Sequence, residues 1–73
     1  VTANAELKML IAQLQASTQY AQSVSDQLAK RAGTTSGALH DSLEDPVASV
    51  FYFLTEANEQ LAKISVIVDM LTD

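Results

Sequence analysis

The sequence predicts an all-α fold: an antiparallel hairpin of two long heptad-patterned helices that self-associates into a four-helix bundle. Three observations lead there. Apolar or small residues return at spacings of three and four along the second half of the chain, at Val47, Val50, Leu54, Ala57, Leu61, Ile64, Val68 and Leu71. The first half carries a matching stripe, Leu7, Leu10, Leu14, Ser17, Ala21, Val24 and Leu28. That spacing keeps one edge of a helix turned toward a partner over many turns. Between the stripes, Gly33-Thr34-Thr35-Ser36-Gly37 holds both glycines of the chain and reads as a flexible polar connection.

The first helix is predicted over residues 4–32. Thr2 and Asn4 are both competent N-caps, because a short side-chain oxygen can accept from the first free backbone N–H groups. Glu6 falls in the first turn, and Lys30 and Arg31 in the last, where each charge suits the helix dipole. Gly33 can take the left-handed conformation that closes a helix. The middle of this helix is rich in Ala, Gln and Ser, and its stripe positions Ser17 and Ala21 are small, as Ala57 is in the second helix. Small residues meeting at the midpoint of a hairpin would form a close-packed waist; alternatively they only fill a weak stretch.

A loop is predicted over 33–45, with Ala38 to Leu43 making at most a short turn that tucks Leu39 and Leu43 over the closed end. A connection of this length is long for adjacent antiparallel helices, and long loops often carry function. Ser42 to Asp45 resembles a capping box, but Asp45 as the cap with Pro46 in the first helical position is the preferred start for the second helix, since a missing N–H costs nothing there. That helix is predicted over 46–72, the whole chain forming one domain.

The chain has 73 residues and no Cys. A chain this short struggles to bury a self-sufficient core, and without disulfides or thiolate-bound metal the remaining route is helix packing against another copy. The second helix carries more apolar residues than one partner helix covers. Phe51, Phe53, Ile67 and Met70, with Met9 and Ile11 of the first helix, are the predicted oligomer interface. Lys and Arg number 4 against 9 Asp and Glu, a formal charge of −5, which argues against nucleic acid and against an anionic membrane. No apolar run approaches the roughly 20 residues that span a bilayer, no signal peptide is visible, and the absence of Cys fits a reducing compartment, so a cytoplasmic location is expected.

Few residues suggest chemistry. His40, the sole histidine, lies beside Asp41 without the nucleophile and partner set of a hydrolase. Glu56 and Glu59 are three apart with no His following, and Glu6 and Asp69 could meet at the open end of the hairpin, but carboxylates without His make a poor transition-metal site. No catalytic residue, metal or cofactor is predicted. Asp41-Ser42-Leu43 resembles the Asp-Ser-Leu of acyl carrier proteins, and that resemblance implies a phosphopantetheine arm on Ser42 at the start of a helix. It covers three residues; Pro46 and the unbroken pattern after it depart from the family. The functional reading is therefore a small acidic non-catalytic protein-interaction module, a homo-oligomer with a protein partner, acting as a regulator, inhibitor, adaptor or assembly subunit. The alternative is a carrier domain modified at Ser42.

Overall fold

The computed structural model describes residues 3–71. Two helices, α1 (Ala3–Ala32) and α2 (Gly37–Leu71), fold back on one another as a hairpin. Contacts pair early residues of α1 with late residues of α2: Ile11 shares a cleft with Val68, Thr18 bonds to Asn58, and Ala32 shares a cleft with Val47. The helices are thus antiparallel. The Cα atoms span 55 × 17 × 13 Å, a single layer of two helices. The candidate cap Thr2 and the predicted helix end at 72 lie outside the described residues.

Helix α1 matches its predicted extent, with Glu6 in its first turn and Lys30 and Arg31 in its last. It closes differently from expectation. Gly33 does not adopt the left-handed conformation; the one glycine with positive φ is Gly37, at 65°. The orphan carbonyls of the last turn are met by the Gly33 N–H, which donates to the Ala29 carbonyl at 3.0 Å, and by two threonines. Thr34 donates from both its N–H and its hydroxyl to the Arg31 carbonyl, and Thr35 does the same to Ala32.

The connection is four residues, 33–36, not the predicted thirteen, because α2 starts at Gly37 and runs through Pro46. Proline in a helix interior removes one hydrogen bond and crowds the preceding turn. What offsets this is packing: the extra turns bring His40 and Leu43 against the end of α1, where both are half-buried. Leu39, expected to tuck over the closed end with Leu43, is exposed.

The larger difference concerns which stripe faces inward. On α1 Ala21 of the predicted stripe is half-buried, and the other residues shielded from solvent are Lys8, Ile11, Gln15, Thr18, Gln22, Ser25, Ala29 and Ala32. Each of these others follows a residue of the predicted stripe by one position or continues that series. The leucines of the predicted stripe, Leu7, Leu10, Leu14 and Leu28, with Val24, are exposed. On α2 much of the prediction stands: Val47, Leu54, Leu61 and Val68 face α1 and Ala57 is half-buried, but Phe51, Asn58 and Ser65 alternate with the first four, and Val50 and Ile64 are exposed. The buried apolar core is accordingly small: Ile11, Ala32, Val47, Leu61 and Val68.

Candidate functional site

The middle of the hairpin is polar. Thr18 donates its hydroxyl to Asn58 Oδ1 at 2.5 Å, the Asn58 amide donates to Gln22 Oε1, and Gln22 Nε2 donates to the Thr55 hydroxyl at 2.8 Å. Thr55 in turn donates its hydroxyl to the Phe51 carbonyl at 3.0 Å. Four side chains from two helices so form a continuous chain of donors and acceptors, which removes most of the cost of burying them. Ala21 and Ala57, half-buried beside this chain, are the small residues that let the helices approach. One turn further, Ser25 is 4% exposed and its Oγ has no hydrogen-bond partner. The two situations predict opposite signs. Asn58→Ala removes the Thr18 bond across the hairpin and leaves Gln22 Oε1 without its donor, lowering stability by about 1–3 kcal/mol, whereas Ser25→Ala removes an unsatisfied hydroxyl and raises it by about 1 kcal/mol. Urea unfolding of both variants checks this, and a destabilised Ser25→Ala would show that its hydroxyl has a partner after all.

The two long edges of the hairpin differ in chemistry. In an antiparallel pair, residues one step after the facing positions project to the same side from both helices. Reversing the second helix also reverses the sense in which its side chains turn. The clefts trace that side. Asp26 and Gly33 of α1 line the closed-end cleft together with Glu44, Ala48 and Tyr52 of α2, and Ala12 lines the open-end cleft with Asp69. All follow a facing residue by one. This side is acidic, with Asp26, Asp41, Glu44, Glu59 and Asp69 set against Lys30, which pairs with Asp26 at 3.1 Å.

Residues one step before the facing positions share the opposite side. There lie Leu7, Leu10, Leu14, Val24 and Leu28 of α1 with Val50, Phe53, Ile64 and Ile67 of α2, each between 42% and 73% exposed. Between its bulky ends this face narrows to Ser17, Ala21, Ala57 and Gln60. No charged residue falls in this position from Leu7 to Leu28 or from Leu39 to Ile67, and no carboxylate beyond them on α1; the one charge is Arg31, one step before Ala32 at the closed end. The predicted heptad leucines thus form an outer face instead of a hairpin core.

The predicted interface residues are dispersed relative to this face. Phe53 and Ile67 belong to it. Met9 projects to the acidic side and Met70 away from α1, both exposed. Ile11 is 8% exposed, turned inward against α2, so the structure places it in the hairpin core and not on an outer surface. Phe51 also faces α1, half-buried, with its ring set edge-on to Tyr52 at 6.2 Å between centroids. Periodicity flags Leu7, Leu10, Leu14, Val24, Leu28, Val50 and Ile64 but places them inward; the structure puts all seven on the surface.

The closed-end cleft, of about 350 Å³, is lined by His40, Asp26, Glu44, Phe51 and Tyr52 over a floor of alanines. His40 Nδ1 is 3.8 Å from Asp41 Oδ1. Among the described residues no group of three or more His, Cys, Asp or Glu is gathered closely enough to hold a metal. Glu56 accepts from Gln60 Nε2 at 3.0 Å on the exposed surface. Ser42 is exposed within the second turn of α2, not at a helix start as the carrier-protein resemblance implies. No helix among the described residues is long and apolar enough to cross a membrane. Comparison of the chain with protein-family models, curated proteins and solved structures found no match.

Proposed function

We propose that this chain is a small acidic, non-catalytic protein-interaction module that works as a homo-oligomer, in the manner of a regulator, inhibitor, adaptor or assembly subunit. One observation carries the reading: the hairpin holds more large apolar side chains outside than inside. Among the described residues, Ile11, Val47, Leu61 and Val68 are the buried large ones, while sixteen large hydrophobic residues are exposed. Nine of the sixteen, Leu7, Leu10, Leu14, Val24, Leu28, Val50, Phe53, Ile64 and Ile67, share one face; a chain of this size has little stability to spare, and a contiguous apolar face marks a contact. Assembly of two hairpins into a four-helix bundle covers it with twofold symmetry. The acidic side then remains outward, suited to a protein partner with basic side chains more than to nucleic acid or an anionic membrane.

Light scattering across a concentration series tests this. The expected particle is at least twice the 7.8 kDa of one chain. Phe53→Asp places a charge in the uncharged face and is expected to shift the particle toward monomer. A parent that stays at 7.8 kDa while remaining highly helical defeats the proposal.

A further inference from the structure

We infer that a second copy of this chain seats on the uncharged face, so that the leucines periodicity assigns to the hairpin's own core are instead the core between copies. The inference rests on the self-association proposed above and names the surface that performs it. Area is the first argument. With roughly half of each large side chain accessible, Leu7 to Leu28 and Val50 to Ile67 offer on the order of 800 Å², the amount a stable interface takes from each partner. Charge is the second. The chain carries −5 overall, so two copies repel across any face that displays carboxylates. The acidic side does so with Asp26, Glu44, Glu59 and Asp69; the leucine face presents none between Leu7 and Leu28 or between Leu39 and Ile67. Two identical copies can therefore meet there without opposing charges. Shape is the third. The face is bulky at both ends and small at Ser17, Ala21 and Ala57, and a twofold related copy sets this waist on its own counterpart whichever way round it docks.

The chain has no Cys, so single thiols report accessibility without background. Ser17→Cys and Gln60→Cys place one on the uncharged face from each helix; Ala12→Cys and Ala62→Cys place one on the acidic side. All four positions are exposed in the hairpin, so each variant should fold as the parent does. Labelling by a maleimide is followed alongside the solution mass. The expected result is an assembly in which the Ser17 and Gln60 positions react slower by on the order of 100-fold and recover on dilution, while the Ala12 and Ala62 positions react at the free-thiol rate. An assembly that protects the Ala12 and Ala62 positions instead overturns the face and leaves self-association standing. A 7.8 kDa particle in which all four thiols react alike overturns self-association, and the face with it.

Discussion

Leu61→Ala will lower stability by about 2–5 kcal/mol, independent of protein concentration, whereas the cost of Leu14→Ala will grow as the protein is concentrated. Both residues occupy stripes of the same period, and the sequence alone puts them in one core. In the hairpin they part company: Leu61 is 6% exposed, packed on the α1 side of α2, and Leu14 is 52% exposed on the uncharged face. Removing three heavy atoms from Leu61 leaves a void between two helices that have no third layer to collapse into it. For so small a chain each kcal/mol corresponds to about 4–8 °C in Tm, so the loss lowers Tm by on the order of 10–40 °C. Truncating Leu14 in an isolated hairpin removes contacts with water and should fall within about 0.5 kcal/mol of the parent. Its larger cost comes only where a second copy covers it, and linkage makes that part depend on concentration. Urea unfolding at two concentrations a hundredfold apart separates the two. A Leu61→Ala variant that unfolds with the parent would show that the described core is not what holds the hairpin.

The same contrast explains what could be read from the sequence. The helical class and the extent of α1 followed from period, from Glu6, Lys30 and Arg31 at its ends, and from the polar run after it. Phase did not follow. The series Leu7, Leu10, Leu14 and the series Lys8, Ile11, Gln15 advance by the same steps of three and four, one position apart, and both satisfy a heptad. Hydropathy favours the leucines for whichever contact buries most, but it does not say whether that contact lies within the chain. The inward series is polar in its middle and acceptable there only because Thr18, Gln22, Thr55 and Asn58 satisfy one another. That bonding is a property of two helices at one register, and no single-helix pattern displays it. On α2 the ambiguity was half as large, since Val47, Leu54, Leu61 and Val68 belong to both series.

Pro46→Ala is the second large effect, expected to raise stability by about 2 kcal/mol and Tm by about 10 °C. The start of α2 was misplaced by this residue, and the sign of the substitution separates the two positions. Were the helix to begin at Pro46, the ring would fill a first-turn site whose N–H has no partner, and alanine would gain nothing or lose a little. With the start at Gly37, Pro46 stands well inside α2, and the Ser42 carbonyl four residues earlier loses the donor that an alanine would supply. Alanine restores that bond and relieves the crowding, worth about 3 kcal/mol in a helix interior. Against this, the unfolded chain recovers freedom that proline denies it, worth about 0.4–1 kcal/mol, so the net remains clearly positive. Differential scanning calorimetry of the two proteins decides it. A Pro46→Ala variant that melts at or below the parent temperature would place the start of α2 at Pro46, and His40 and Leu43 would then belong to a loop instead of to the turns that pack on α1.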